Sequence, residues 1–146
     1  MTVYSIGFTR KTAEQFFGAL RGAGIRQLVD VRLHNSSTLA GFTKVADLPF
    51  FLREVCGAEY RHEPLLAPSE ELFRAIKGRK IGWDEYAARF LRLMAERRVA
   101  QRFDRSLFTP TSVVLCSEPT ADRCHRRLVL EHLSQRWGSV LRIQHL

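Results

Sequence analysis

The stretch 113–127 holds most of the side chains that could carry chemistry. An apolar run at 113–115, of the kind found in buried strands, is followed by a polar hinge and then by a helical pattern. The reactive residues along it are, in chain order, Cys116, Glu118, Cys124, His125 and Arg126. In parallel α/β sheets, ligands lie beyond the carboxyl ends of the strands, where helix N-termini direct positive dipoles inward. We therefore expect these side chains to meet at one edge of a sheet.

Nucleophilic catalysis is one chemistry that this stretch could perform. A cysteine thiolate at a strand end is stabilised when it faces a helix N-terminus and arginines. The phosphatase loop Cys-x5-Arg, counted from Cys116, requires an arginine at position 122, and this chain has Asp122 there. Because that template fails, Cys116 is equally compatible with the role of a small buried hydrophobic residue.

Metal binding is a second possibility, since Cys116, Cys124 and His125 are soft ligands, with His34 or His62 as distant candidates for a fourth. Zinc ligands usually occur at short, regular spacings, whereas Cys124 and His125 are neighbours, about 100° apart on a helix. We therefore expect no metal at this stretch, and the sequence identifies no cofactor. The chain has 3 cysteines, an odd number without regular spacing, so we expect free thiols rather than a disulfide scaffold.

Anion binding is the third possibility. Arg32 and Arg126 can present bidentate guanidinium groups, and a helix that begins near Thr120 would add free amides. Glu118 would hold one guanidinium or contact a ligand hydroxyl or amino group. Its structural alternative is a salt bridge to Arg126 that locks the loop to the helix. His125 is the acid/base candidate because the ordinary pKa of histidine is about 6.5, although a histidine in a first helical turn can also simply cap or pack.

Two strands earlier in the chain are expected to end at the same edge of the sheet. Residues 2–6 form a β-rich run that ends at Gly7, with Thr9 in the loop beyond, and residues 28–32 form a short buried strand. A capping-box pattern and an apolar stripe predict a helix between them, which favours a parallel, right-handed crossover. Burying Asp30 and Arg32 is costly unless they are paired or face the crevice. They are therefore either site residues or an ion pair that ties down neighbouring loops.

The remaining pattern is that of one domain over residues 1–146. In chain order it predicts an irregular loop at 33–44, a helix at 47–55, a strand at 59–62, a short helix at 70–77, a long helix from residue 83, a strand at 112–116, a helix at 122–137 and a last strand at 140–143. Arginines along one helix, namely Arg89, Arg92, Arg97, Arg98 and Arg102, indicate a solvated face. The expected fold is α/β, a single three-layer domain with a mostly parallel sheet flanked by helices.

Composition narrows the range of partners. The formal net charge is +8, which favours nucleic acid or a phosphorylated ligand. The basic turn at 77–80 could contact phosphates or could simply be solvated, and Trp83 and Tyr86 are interpreted as packing residues. No apolar stretch approaches the ~20 residues needed to cross a bilayer, and no signal-peptide pattern is visible. We expect a cytoplasmic protein without a membrane partner.

Several motifs resemble those of a bacterial family catalogued as domain of unknown function 488. They are Ser5-Ile6-Gly7, Leu28-Val29-Asp30-Val31-Arg32, Gly41-Phe42-Thr43-Lys44, and Leu115-Cys116-Ser117-Glu118 followed by Cys124-His125-Arg126. The resemblance spans nearly the whole chain and implies a compact α/β domain with a shared polar site. That site would consist of Arg32, Cys116, Glu118, Cys124, His125 and Arg126. The family often has a histidine where this chain has Phe8; if that histidine is catalytic in other members, this chain lacks the activity or uses Thr9 or His34.

These observations lead to a functional hypothesis, a small enzyme that acts on a phosphate-bearing ligand, with a nucleotide or nucleic acid as the preferred class. The candidate catalytic residues are Glu118, His125, Cys116 and Cys124, and the candidate ligand-binding residues are Arg32, Arg126, Asp30 and Thr9. One alternative is a non-catalytic module that binds nucleic acid or a protein partner. Another is a thiol-based redox or metal sensor.

Overall fold

The structure, a computed structural model, describes residues 1–36, 41–118, 121–138 and 141–146. Within these residues a five-stranded parallel sheet has the strand order β3-β2-β4-β1-β5. Its strands are β1 (Thr2–Gly7), β2 (Gln27–Asp30), β3 (Glu59–His62), β4 (Ser112–Cys116) and β5 (Arg142–His145). The helices are α1 (Ala13–Gly22), α2 (Leu48–Phe51), α3 (Glu70–Lys77), α4 (Trp83–Glu96), α5 (Val99–Arg102) and α6 (His125–Arg136).

Local sequence explains several of these boundaries. The Thr12 hydroxyl accepts from the Gln15 amide, and the Gln15 side chain accepts from the Thr12 amide, so the predicted capping box begins α1. Helix α2 continues as a π-helical turn over Leu52–Cys56 and ends at Gly57, whose φ of 64° suits glycine. Every residue of β4 is buried, as expected for a central strand covered on both faces.

Helices cover both faces of the sheet and make three layers, as predicted. On one face, Phe16 and Leu20 of α1 and Leu48 of α2 pack against the sheet. Val113 and Leu115 of β4 belong to the same apolar cluster. On the other face, α3 to α6 pack against Val114 and Cys116. This alternation places the Cys116 side chain on the face that carries α4 and α6.

Strand order brings the reactive segments together. Strand β4 lies between β1 and β2, with Leu115 in register with Ile6 on one side and Asp30 on the other. The carboxyl ends of these three strands therefore meet at one edge, which is the topological arrangement that α/β proteins use for ligands.

The arginine-rich segment is not one helix, so that prediction is wrong. Helix α4 ends at Glu96, the backbone of Arg98 is left-handed with φ 56°, and α5 is a separate short helix. Arg97 does not belong to a solvated face: it is half-buried and donates to the carbonyls of Leu65 and Ala67 at 2.8 and 2.7 Å. These hydrogen bonds to carbonyls of a distant loop determine the position of the Arg97 side chain. The helical periodicity of the sequence gives no information about such partners.

Two other boundaries differ from the sequence prediction. Helix α6 begins at His125 rather than residue 122, because the Arg127 side chain holds the carbonyls of Ala121 and Asp122 in a turn ahead of the helix. The last strand lies at Arg142–His145 rather than at 140–143. Thr120 and Val140 lie outside the described residues. Along the described parts of the chain, no helix combines the length and apolar character needed to cross a membrane.

Candidate functional site

A cavity of about 490 Å³ lies at the carboxyl edge of the sheet. Its walls come from the ends of β2 and β4, the end of α3, the start of α4 and the segment that precedes α6. The polar and aromatic residues that line it are Phe8, Arg32, His34, Phe73, Lys77, Arg79, Trp83, Tyr86, Cys116, Ser117, Glu118, Arg123, Cys124 and His125. The structure therefore brings most of the predicted site residues to one place, as the strand ends indicated.

Arg32 and Asp30 form a buried ion pair beside this cavity. Arg32 donates from Nε and Nη2 to the two carboxylate oxygens of Asp30, both at 2.9 Å, and from Nη2 to the Thr43 carbonyl at 2.7 Å. Asp30 also accepts from the Tyr60 hydroxyl at 2.6 Å, and burial together with this bond raises the pKa of Tyr60. Asp30 thus holds the guanidinium of Arg32 in place, which is the ion pair that the sequence offered as one alternative.

One donor of Arg32 remains unused. Its Nη1 is the one buried side-chain nitrogen or oxygen that has no hydrogen-bond partner within the described residues. The guanidinium also lies over the ring of Phe8, with 5.4 Å between its central carbon and the ring centroid. The Phe8 ring therefore packs against the guanidinium of Arg32. Position 8 is the one at which the family that this chain resembles often has histidine.

Arg126 is buried in a different environment. Its Nε donates to the Ser5 hydroxyl at 3.2 Å, and its Nη1 donates to the Glu118 backbone carbonyl at 2.8 Å and to the Cys116 sulfur at 3.2 Å. No carboxylate lies within ion-pair distance of it in the parts of the chain that are described. Burial lowers the pKa of Arg126 to about 10, an effect opposed by the nearby charge of Glu118.

The close approach of these groups requires glycine at position 7. A Cβ atom there would lie 1.5 Å from the Glu118 carbonyl oxygen and 3.0 Å from Nη1 of Arg126. No other residue type fits without moving the loop that follows β4. Gly7 thus allows Arg126 and the β4 loop to meet behind the cavity.

His125, the first residue of α6, has one ring nitrogen committed. Its Nε2 donates to the Val31 carbonyl at 2.7 Å, and its ring packs 5.5 Å from that of Phe90. Burial lowers the pKa of His125 to about 4, so the ring is neutral near pH 7. Because a carbonyl only accepts, the Nε2 proton is donated and the lone pair of the neutral ring is on Nδ1.

The sulfur atoms of Cys116 and Cys124 are bonded to each other, and Cys56 is the free cysteine. The expectation of three free thiols is therefore wrong, because the end of β4 and the residue before α6 are neighbours in space. The sulfur atoms and a ring nitrogen of His125 lie within 4.8 Å of one another. The expectation that Cys124 and His125 would not converge is also wrong: Cys124 is the N-cap, with extended φ and ψ of −136° and 138°, so helical spacing does not apply to it.

Thr9 has a structural role, and Glu118 contacts Arg126 in a different way from the predicted one. The Thr9 hydroxyl and amide both contact the Ser117 carbonyl, so Thr9 ties the first loop to the β4 loop and is absent from the cavity lining. Glu118 is exposed and lines the cavity, but its predicted salt bridge to Arg126 is not formed; the backbone carbonyl of Glu118 makes that contact instead.

The distant histidines do not join the cysteines. His34 lies on the cavity wall, 5.0 Å from the ring of Phe73 and 3.3 Å from the Glu70 carboxylate, and His62 donates to the Arg32 carbonyl. Neither belongs to the group of ligand atoms around Cys116 in the described ranges. The idea of a fourth ligand from either residue is therefore not supported by their positions.

Sequence reasoning underestimated one wall of the cavity. Lys77 and Arg79 from the basic turn line it. Trp83 and Tyr86 also line it while packing as predicted, since their rings are stacked with centroids 5.4 Å apart and Tyr86 belongs to the buried core against which Trp83 packs. Arg123 lines it too and was not singled out, although its position directly before Cys124 was a usable signal. These residues come from segments with no periodic relation to β4, so only the tertiary contact reveals them.

Comparison with known proteins gives a family and nothing more specific. Neither the curated proteins nor the solved structures contain a match to this chain. Residues 12–133 match the family described as Domain of unknown function DUF488, a span that includes the β2 ion pair, the β4 cysteine and the Cys-His-Arg triplet. The resembling motifs from Leu28 to Arg126 fall within that span. The chain therefore belongs to the DUF488 family.

Proposed function

We propose that this protein binds a phosphate-bearing small molecule in the cavity and acts on it chemically, with a nucleotide as the preferred ligand class. The observation that carries the proposal is the buried guanidinium of Arg32, which lines the cavity and has an unused donor at Nη1. Buried donors without a partner are rare and costly in native proteins. Because Arg32 lines the cavity, a ligand there that brings an acceptor oxygen to its guanidinium would satisfy this donor.

Arg32 is held ready for such a ligand. Asp30, the Thr43 carbonyl and the Phe8 ring hold its guanidinium in one orientation. A preorganised group loses little side-chain entropy when a ligand binds, and the planar guanidinium matches phosphate and carboxylate geometry. Because Asp30 neutralises its charge, Arg32 would orient the bound ligand rather than add to the net positive charge of the cavity.

Net positive charge comes from three other residues that line the cavity. Lys77, Arg79 and Arg123 line the cavity, and Glu118 is the one carboxylate among its described lining residues. A cleft lined mainly by one sign of charge concentrates ligands of the other sign. This excess of cations supports an anionic ligand.

The aromatic side chains favour a nucleotide among anionic ligands. Trp83 and Tyr86 stack nearly in parallel, with an interplanar angle of 28°, and both line the cavity. Tyr86 is 4% exposed and its ring also stacks on that of Phe90, so the partly exposed Trp83 is the side chain on which a base would stack, a contact that contributes about 1–3 kcal/mol. The volume of about 490 Å³ also lies in the range that small-molecule sites occupy, about 300–1,000 Å³.

Glu118 is the group that we assign to proton transfer. Its carboxylate is exposed to the cavity, whereas His125 has its Nε2 committed to Val31 and the sulfurs of Cys116 and Cys124 are joined. A positioned general acid or base contributes about 10²–10⁴-fold to a rate. Glu118→Gln is therefore expected to remove turnover and to leave ligand binding nearly unchanged.

The first test is a thermal-shift screen with inorganic phosphate and nucleoside mono-, di- and triphosphates. A ligand at 100 times its Kd adds about 2.7 kcal/mol of stability, which shifts the Tm visibly. Lys77→Gln and Arg123→Gln should each weaken binding about fivefold, since a partly exposed charge contact contributes ~1 kcal/mol. Matched controls are Lys80→Gln and Arg92→Gln, exposed cations outside the cavity lining.

Nucleic acid is a second candidate ligand, supported by the net charge of +8 and by the basic turn that follows α3. The same variants separate the two. A nucleic-acid surface predicts oligonucleotide binding to which Lys77 and Lys80 contribute alike, each removal reducing the salt slope by about one. Stabilisation by mononucleotides that Lys77→Gln reduces and Lys80→Gln does not supports the cavity; no response to phosphate or any nucleotide contradicts it.

A further inference from the structure

The floor of the cavity holds two sulfur atoms and one imidazole nitrogen within 4.8 Å of one another, contributed by Cys116, Cys124 and His125. Zinc–sulfur and zinc–nitrogen bonds of about 2.3 and 2.0 Å place the ligand atoms of a tetrahedral ion roughly 3.5–4 Å apart. Once the bond between the two sulfurs is reduced, the three atoms therefore need only small side-chain movements to surround one ion. The strand end and the helix N-cap that carry them are both buried and well packed.

His125 is oriented as metal-binding histidines usually are. Its Nε2 donates to the Val31 carbonyl at 2.7 Å, which leaves Nδ1 as the nitrogen with a lone pair. Metal ligands of this type almost always donate their other ring N–H to a carbonyl or carboxylate, which sets the tautomer and the ring orientation. The cavity floor thus already contains the outer contact that a ligating histidine requires.

Arg126 gives an independent reason to expect negative charge on sulfur. Its guanidinium is 1% exposed and donates to the Cys116 sulfur at 3.2 Å, and within the described residues no carboxylate pairs with it. A buried charge without a counter-charge is unfavourable. A Cys116 thiolate would supply that counter-charge, and the Arg126 donor would be an outer-shell hydrogen bond to a ligating sulfur.

From these contacts we infer that Cys116, Cys124 and His125 bind a divalent metal ion, zinc being the best match, with its fourth coordination position open to the cavity. Two thiolates and one imidazole suit zinc, and three protein ligands with an open position are typical of its catalytic sites. All three residues line the cavity, so the open position faces the space where a ligand would lie. This inference goes beyond the proposed function, which does not use these groups to bind a ligand.

With its two sulfurs bonded to each other, this site is in the oxidised state, which cannot bind the metal ion. A dithiol reductant transfers two electrons and two protons to the Cys116–Cys124 bond, yields two thiols and becomes a disulfide itself. Binding of the metal ion then forms two metal–sulfur bonds and releases the two thiol protons to solvent. Metal binding is therefore expected only in the reduced protein.

The test uses cobalt(II) as a spectroscopic substitute for zinc in the 146-residue chain. The protein is reduced with dithiothreitol, desalted without oxygen and titrated with cobalt(II) chloride. We expect one cobalt per chain with a near-ultraviolet sulfur-to-cobalt charge-transfer band, displaced by an equivalent of zinc. The oxidised protein should give no band. A reduced protein that gives no band overturns the inference.

Cysteine and histidine variants locate the site. Cys124→Ser should lose the charge-transfer band, and His125→Gln should weaken cobalt binding at least about tenfold. Cys56→Ser is the matched control, because Cys56 is the free cysteine and lies outside the cavity lining. Circular dichroism and urea unfolding of each variant verify its fold. An unchanged band in folded Cys124→Ser, or a lost band in folded Cys56→Ser, contradicts the assignment.

Two further measurements separate this site from the phosphate site. Lys77→Gln should retain the cobalt band even where nucleotide binding weakens, so the two proposals can fail independently. Addition of imidazole to the cobalt protein should change the visible absorption bands, because a small ligand can fill an open position. Unchanged visible bands would overturn the open fourth position.

Discussion

Two buried arginines at the carboxyl edge of the sheet have opposite environments. Arg32 is paired with the carboxylate of Asp30 and keeps one unused donor, whereas Arg126 has its donors on a hydroxyl, a sulfur and a backbone carbonyl, with no carboxylate in the described residues. Both are almost fully buried, at 4% and 1% exposure. The first arrangement is electrically neutral but leaves one donor without an acceptor, and the second makes hydrogen bonds from Nε and Nη1 but lacks a paired counter-charge.

This difference separates the two proposals. A neutral pair with a spare donor suits recognition of a ligand oxygen, because the pair is already stable without the ligand. A guanidinium whose nearest reactive neighbour is a cysteine sulfur suits stabilisation of a thiolate. The two proposals therefore assign different chemistry to the ends of β2 and β4, which border one cavity.

The largest expected effect comes from making the same substitution at both arginines. Arg32→Met leaves the Asp30 carboxylate buried without its cation and should lower the free energy of unfolding by about 3–5 kcal/mol. Arg126→Met leaves only neutral acceptors and should cost about 1–3 kcal/mol. Urea unfolding of the oxidised variants measures both values. Equal losses, or a larger loss at Arg126, would contradict the assigned environments.

The next effect tests how closely Arg126 and the β4 loop approach β1. Gly7→Ala should lower the free energy of unfolding by about 3 kcal/mol, the upper end of ordinary overpacking, because its Cβ would meet the Glu118 carbonyl. Gly18→Ala is the matched control: nothing lies within 4 Å of its Cβ in α1, and the substitution should stabilise by about 0.5–1 kcal/mol. The opposite signs should appear as Tm shifts in opposite directions, and a tolerated Gly7→Ala would argue against the contact.

The smallest effect tests the network around Asp30. Tyr60→Phe removes a 2.6 Å hydrogen bond to the Asp30 carboxylate and should cost about 1.5 kcal/mol, since the acceptor is charged. Tyr4→Phe, at a half-buried tyrosine of β1 outside this network, should change stability little. Thermal unfolding of the two variants checks the difference. Similar costs for both would mean that Tyr60 acts through packing alone.

Local patterns predicted the elements well where the determinants are themselves local. The capping box at Thr12 begins α1, the short helix predicted at 70–77 matches α3, and the run at 112–116 matches β4. Errors arose where a long-range hydrogen bond decides the backbone, as at Arg97 and at the start of α6, where Arg127 holds the preceding turn. Spacing along the chain contains no information about such partners.

The same division applies to the site. Sequence alone determined that Arg32, Cys116, Glu118 and the Cys124-His125-Arg126 triplet lie at one edge, because parallel strands end together. Only the tertiary structure decided that Asp30 pairs with Arg32, that Thr9 serves the loop, that the basic turn and Trp83 form a cavity wall, and that the two sulfurs meet the imidazole. Each of these depends on angles and distances between distant segments, which residue types and spacing do not specify.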